Sequence, residues 1–378
     1  MSHAWRLTLD AGALVVTGIG KRLGMRTGAY RVAAECRDQQ HLSRYPLPDL
    51  MFRIGLNPYG VAYTVGLQGA GTGRSNLRGI GLDGFVALAR EIGAQCIEFD
   101  WRWLMPLTDA RLERLGREIE GMTPICSCWL SQEPGETLAE PIRCATAVGA
   151  SLVRLHLTPV LEGARASWGP RWGEMVEHAR ATLRRESPIA AGAGLALAVE
   201  DHQDLGSEEL VAIAEEAGTN VGVVLDTGNP FAVGEDPVAF ARRAAHLIRH
   251  VHLKDYRAQF TEHGYCLVRC AVGDGCVPFD EIAAALAPQG TSMTASIELG
   301  ALDARHIRVF DAHWWTGYPP RDAREIATAL GRLQRRRIDF GDDHRTPWEV
   351  NAPPQAIVDF EMYQLHRSLD NLRAMGWI

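Results

Sequence analysis

The 378-residue chain carries 39 lysines and arginines against 46 aspartates and glutamates, a formal net charge of −7, with 46% hydrophobic and 22% charged residues. That length is enough for one large barrel or two smaller domains, the acidic balance argues against a nucleic-acid partner, and no apolar run reaches the roughly eighteen residues of a membrane span. The eight cysteines form no CxxC pair, which reads as buried free thiols in a reducing cytoplasm.

Residues 1–50 show scattered arginines and glycines, no sustained periodicity and none of the features of a secretory signal. They are expected to form a loosely attached extension, or to precede the working initiator if translation begins at Met51; N-terminal mass analysis of natively expressed protein distinguishes the two. From Met51 onward, short hydrophobic runs alternate with amphipathic helical patterns. The strand candidates are 52–56, 96–100, 123–128, 152–157, 195–200, 221–226, 250–255 and 294–299. They are nearly continuous in apolar character, as strands buried on both faces are. Helical spacing places Phe85, Leu88 and Ile92 on one stripe and Leu112, Leu115 and Ile119 on another. Ser207 with its early glutamates, and Asp236-Pro237, read as helix starts.

Eight strands with intervening helices predict a (β/α)8 TIM barrel over residues 51–303 rather than an open sheet. Gly69-Ala-Gly-Thr-Gly-Arg74 does not run from strand straight into helix and lacks the Lys-Ser/Thr of a phosphate loop; it is expected to be a mobile loop over the barrel mouth. Residues 304–378 form a C-terminal tail. Its aromatic, proline-stiffened loop at Trp314-Trp315-Thr-Gly-Tyr318 precedes helical patterns near 321–334 and 354–375, expected to pack on the barrel exterior or cover its mouth.

Four of the runs end in a metal-ligating side chain: Glu200, Asp226, His252 and Glu298. Ligands placed last on successive parallel strands point to the carboxyl end of the sheet, where α/β proteins build their sites. Singly, each residue is ordinary: an acid at a strand end, an Asx turn, a structural histidine. Together, on strands 5 to 8, they predict one shared divalent cation. Three carboxylates and an imidazole suit Mn²⁺, Mg²⁺ or Co²⁺, with Zn²⁺ also able to bind. Such an ion would stabilise an enediolate, with Glu200 and Glu298 as the acid/base pair.

The motifs Ala-Val-Glu200-Asp-His, Val-Leu-Asp226-Thr-Gly-Asn-Pro, His-Val-His252-Leu-Lys254-Asp255 and Ser-Ile-Glu298 resemble those of the sugar phosphate isomerase/epimerase superfamily, the xylose-isomerase-like TIM barrels, from Met51 to about residue 300. The resemblance implies that these four residues hold one Mn²⁺- or Mg²⁺-like ion and that the two glutamates move protons at carbons flanking a carbonyl. The chain departs from some ketose epimerases of this group in having Asn229 where a histidine is expected. It also lacks the extra histidines of the endonuclease IV-like branch.

Substrate contacts are expected from Asn57, at the end of strand 1, and from His156 and His202. Lys254 joins them if its strand runs on regularly, and is a solvated charge if it does not. Arg269 and Arg305 follow strands 7 and 8 and would serve a carboxylate or a hydroxyl-rich substrate, or else be loop charges. Alternation also puts Glu98 with Asp100 on one face of strand 2, and Arg154 with His156 on one face of strand 4. The reading is a metal-dependent isomerase or epimerase acting on a keto sugar or sugar acid. The alternative is a lyase on a 3-oxo sugar: residues 55–69 and the tail resemble the 3-oxo-isoapionate decarboxylase branch. A C-glycoside deglycosidase α subunit is a related option, which implies a small partner chain. A homodimer is compatible with either.

Overall fold

The structure is a computed structural model and describes residues 6–10, 13–17, 51–130, 135, 137–290, 292–339 and 341–378. The chain divides into two units, Met1–Pro46 and Leu47–Ile378. In the first, β1 (Arg6–Asp10) pairs antiparallel with β2 (Ala13–Thr17). Runs this short establish no periodicity, so the sequence reading assigns no element there. The expected looseness of residues 1–50 otherwise falls outside the described residues.

In the second unit, eight parallel strands close a barrel. They are β3 (Met51–Leu56), β4 (Cys96–Asp100), β5 (Thr123–Trp129), β6 (Leu152–His156), β7 (Ala196–Glu200), β8 (Val221–Asp226), β9 (Ile248–Leu253) and β12 (Ser292–Ile297). Closure is made by β12 and β3, paired along six residues from Ser292 opposite Met51 to Ile297 opposite Leu56. The β3–β4 seam is short, with only Gly55–Cys96 and Leu56–Ile97 in register. A Cβ on Gly55 would stand 1.9 Å from the Cys96 carbonyl oxygen, so only glycine permits this approach.

The helices between strands cover the barrel: α1 (Gly81–Glu91), the short α2 (Trp101–Leu104), α3 (Asp109–Glu118), α4 (Ala139–Val148), α5 (Arg171–Gly192), α6 (Ser207–Ala217), α7 (Pro237–Ala244) and α8 (Phe279–Leu286). The expected stripes face inward: Phe85 and Leu88 of α1 and Leu112 and Leu115 of α3 are buried. Asp236 caps α7, accepting from the Ala239 amide at 3.0 Å. Ser207 does not cap α6. Gly206 holds that position, with Glu209 accepting from the Gly206 amide and Glu235 from the Ser207 amide. Two carboxylates thus serve the first amides of the helix, which have no intrahelical acceptor.

The expected strand 7 ends early. The chain turns after Leu253 into β10 (Asp255–Thr261), which pairs antiparallel with β11 (Gly264–Cys270); β13 (Arg305–Ile307) adds to β11. This three-stranded sheet stands beyond the carboxyl ends of β9 and β12, and it crosses the expected boundary at residue 304. The tail continues through α9 (Ala323–Arg335) and α10 (Pro354–Ala374). Trp314 and Tyr318 donate to the carbonyls of Glu162 and Gly163 in the segment after β6, and Trp377 stacks on Phe52 with ring centroids 4.4 Å apart. Arg74, at the end of the glycine-rich segment, lies over the Trp348 ring and donates to its carbonyl. No helix among the described residues is long and apolar enough to cross a membrane.

Candidate metal centre

Glu200 and Asp226 are the last residues of β7 and β8, His252 the fifth of six in β9, and Glu298 the first beyond β12. The barrel register brings all four to its carboxyl end. Each offers one ligand atom there, these atoms lie within 4.8 Å of one another, and all four residues are buried. The quartet is a site that can hold a metal ion.

The orientation of His252 makes the fit specific. Its Nε2 lies 2.9 Å from Glu98 Oε2. Glu98 also receives the Asn57 amide at 2.8 Å and the Ser127 hydroxyl. Burial works against ionising Glu98, but His252, His250 and Arg154 outweigh it and hold the carboxyl well below its usual range. An ionised carboxylate only accepts, so Nε2 carries the proton and Nδ1 presents its lone pair to the quartet. Nδ1 lies 2.7 Å from Glu298 Oε2 and 3.5 Å from Glu200 Oε1. None of these three atoms makes a hydrogen bond, and a cation among them would satisfy all three. Burial opposes charging His252, whereas Glu98, Glu298 and Glu200 favour it strongly; the same field attracts a metal ion, in competition with that proton.

Two cationic side chains complete the cluster. Lys254 follows β9, and its backbone is braced by Thr227, whose hydroxyl donates to the Lys254 carbonyl at 2.7 Å. This turns the side chain inward, where Nζ contacts Asp226 and lies 3.2 Å from Glu298 Oε1. Of the two readings of Lys254, the structure supports the buried one. Arg154 of β6 contacts Glu200 and comes within 3.9 Å of Glu298 Oε2. Glu98, Glu200, Asp226 and Glu298 thus meet Lys254 and Arg154 beside the imidazoles of His156, His250 and His252, and a divalent ion would offset the remaining negative charge. Burial raises Asp226 to about 6, with Lys254 acting in the opposite sense.

His156 places Nε2 2.6 Å from Glu200 Oε2, and His202 stacks on it with ring centroids 3.7 Å apart. Burial and the neighbouring His156 hold His202 well below its usual range, so it is a neutral ring whose Nδ1 has no hydrogen-bond partner. Asn57 does not face the quartet freely. Its amide is spent on Glu98, and its carbonyl accepts from the Tyr59 amide at 2.7 Å. Arg269 lies on β11 and Arg305 on β13, so neither is a plain loop charge. Sequence reasoning noted Glu98 and Arg154 as face-sharing residues without giving them work. It assigned nothing to Asp201, whose carboxylate receives the Asp226 amide at 2.5 Å. A cavity of about 410 Å³ opens at the other end of the barrel, lined by residues such as Arg53, Leu152 and His246, away from this chemistry.

A family model described as "Xylose isomerase-like TIM barrel" matches residues 86–306. The chain is 28% identical over 142 residues to an inosose dehydratase of Clostridium beijerinckii, covering 33% of this chain and 46% of that one. It is 27% identical over 144 residues to the protein YihM of Escherichia coli, covering 38% and 41%. The chain therefore spans under half the length of these curated relatives. Among solved structures, an L-ribulose 3-epimerase is 17% identical, covers 86% of this chain and 97% of its own, and has a TM-score of 0.48. An IolI protein with a bound zinc atom is 18% identical, covers 75% and 96%, and has a TM-score of 0.47.

Proposed function

We propose a function on the premise that the chain belongs to the xylose isomerase-like TIM barrel family, as the match over residues 86–306 shows. It catalyses metal-dependent proton transfer at a carbon beside the carbonyl of a keto sugar or sugar acid, as an isomerase or epimerase does. The observation that carries this reading is the convergence of Glu200 Oε1, His252 Nδ1 and Glu298 Oε2, buried, close together and without a hydrogen bond. Glu200, Asp226, His252 and Glu298 would hold the ion, Mn²⁺ by the hardness of the donors, with Mg²⁺, Co²⁺ or Zn²⁺ as alternatives. When bound, it supplies Lewis-acid polarisation of a carbonyl.

The chain's own groups do the rest. Burial opposes ionisation of Glu298, but Lys254 and His252 hold it as a carboxylate, available to accept a proton from carbon. Glu200 is held ionised against its burial by Arg154, His156 and His252. Inversion requires Glu200 to take up a proton from solvent and deliver it to the opposite face of the carbon, whereas return of the Glu298 proton to the neighbouring carbon isomerises the sugar. Arg154 and Lys254 place positive charge where an enediolate develops. His156 and His202 would contact the substrate, and Arg269 and Arg305 would engage it where it carries an acid group; Asn57 acts on it only through Glu98.

Lys254 also favours a second reading, a lyase. An ammonium beside Glu298 can protonate a departing hydroxyl, so that water leaves after proton abstraction. In a 3-oxo acid, C–C cleavage would instead release CO₂ and form an enolate, which the same ammonium can stabilise and then protonate at carbon. The inosose dehydratase similarity supports this branch, and a 3-oxo-isoapionate-type decarboxylase is its most specific form. The test is proton NMR in D₂O with free ketoses and with 3-oxo sugar acids. Exchange into recovered ketose, lost in Glu200→Gln and in Glu298→Gln while Mn²⁺ still binds, supports the isomerase. CO₂ or water release without exchange supports the lyase. Wild-type protein that binds no divalent ion overturns both.

A further inference from the structure

The sheet beyond β9 carries a second cluster. β10 begins one residue after Lys254, and its register places Tyr256 opposite Arg269 of β11. β13 places Arg305 opposite Leu267, two residues from Arg269, so both arginines project from one face of the sheet as diagonal neighbours. The Tyr256 ring packs on Gly228, two residues from Asp226; a Cβ there would meet the ring at 2.6 Å. This close approach fixes the tyrosine between the arginine pair and the quartet.

The polar atoms of this cluster are unsatisfied. Tyr256 is fully buried, and its hydroxyl has no hydrogen-bond partner. Arg269 is 6% exposed and donates once, to the Asp303 carbonyl at 2.9 Å; its Nε and that of Arg305 have no partner. Three other buried arginines each reach a carboxylate: Arg154 meets Glu200, Arg165 meets Glu209, and Arg332 meets Asp236 and Glu281. Among the described residues, Arg269 and Arg305 form no ion pair. Two adjacent guanidinium groups and a buried hydroxyl, all short of acceptors, are costly unless an anion joins them. Burial and Arg269 together lower the Arg305 pKa, as expected for like charges held side by side.

We propose that Arg269, Arg305 and the Tyr256 hydroxyl form an oxyanion subsite beside the quartet, taking the carboxylate or phosphate of an acidic sugar whose carbonyl end lies among Glu200, His252 and Glu298. This rests on the proposed reading of the quartet as the reacting centre. Guanidinium forks match the planar or tetrahedral oxygens of such groups, and the tyrosine adds a donor neutral at physiological pH.

The experiment is calorimetric titration of the Mn²⁺-loaded protein with 2-keto-D-gluconate, D-fructose and D-fructose 6-phosphate. The first two share a six-carbon chain and a C2 carbonyl and differ at C1, which is carboxylate in one and hydroxymethyl in the other. At least one anion should bind roughly tenfold or more tightly than fructose; which one distinguishes carboxylate from phosphate. Arg269→Gln and Arg305→Gln should each remove most of that preference while leaving fructose affinity within about twofold, and Arg269→Lys should restore part of it. Equal binding of anions and fructose overturns the subsite, as does equal loss for both in the variants. Mn²⁺ titration of the same variants keeps the two ideas apart: unchanged metal affinity with lost anion preference supports the subsite. A wild-type protein that prefers the anion yet takes no metal retains the subsite and overturns the proposed reaction.

Discussion

At the scale of single residues, the centre depends on Glu98 as much as on the quartet. It sits on β4, far from the motifs, yet it fixes which nitrogen of His252 faces the ligand cluster. Its oxygens also accept from Asn57 and Ser127, which anchors the carboxylate against His252 Nε2. Glu98→Gln is expected to weaken Mn²⁺ affinity by roughly 10–100-fold, because an amide can present its own N–H to Nε2 and favour the wrong tautomer. Titration calorimetry gives the affinity, and the imidazole ¹⁵N shifts of His252 report the tautomer. An affinity within twofold of wild type would remove Glu98 from this role. The four candidate ligands were legible in the chain because each stands at or near the end of a short apolar run. Glu98 and Arg154 were less so: alternation places them on an inward face, but it does not say what stands opposite across the barrel.

At the scale of elements, the largest departures lie after β9. The segment Tyr256 to Arg269 does alternate, with Tyr256, Ala258, Tyr265 and Leu267 buried, but a strand drawn on to residue 255 absorbs its start. β13 could not be anticipated, since three residues carry no period and it exists only by pairing with β11. The last helix, α10, was legible as a pattern, but its anchoring was not. Glu361 is fully buried and accepts from the Tyr63 and Thr64 amides at 2.9 and 2.8 Å, from the Thr64 hydroxyl at 2.7 Å and from the Ala301 amide at 3.3 Å. One carboxylate thus ties the helix to the segments that follow β3 and β12. Glu361→Ala leaves three buried amides without an acceptor and should cost about 3–5 kcal/mol. Urea unfolding measures that loss, and hydrogen exchange should show it first at Tyr63, Thr64 and Ala301.

At the scale of the barrel unit Leu47–Ile378, the centre is a concentration of like charge held by closure of the sheet. Ligands from β7, β8, β9 and the end of β12 come together only when β12 pairs with β3. A metal ion held by these four residues is therefore expected to stabilise the closed barrel. Mn²⁺ at about 100 times its dissociation constant should stabilise the fold by about 2.7 kcal/mol, a rise in melting temperature of roughly 5 °C, reversed by a chelator. Differential scanning fluorimetry checks this, and His252→Ala should abolish the metal-induced shift. The tail is tied to the same unit through ion pairs from α9: Arg332 grips Glu281 with two nitrogens at 2.8 Å each and also contacts Asp236.

The amino-acid sequence by itself determined the barrel and pointed to the four candidate ligands, because burial on both faces writes a strand as a continuous apolar run and a polar side chain at or near its end stands out. Only the tertiary structure decided that Glu98 orients His252, that Lys254 and Arg154 enter the cluster, and that Arg269 and Arg305 meet beside it. The reason is physical: period and capping are local, whereas the field at a buried carboxylate is set by whichever strands the closed sheet brings across from it.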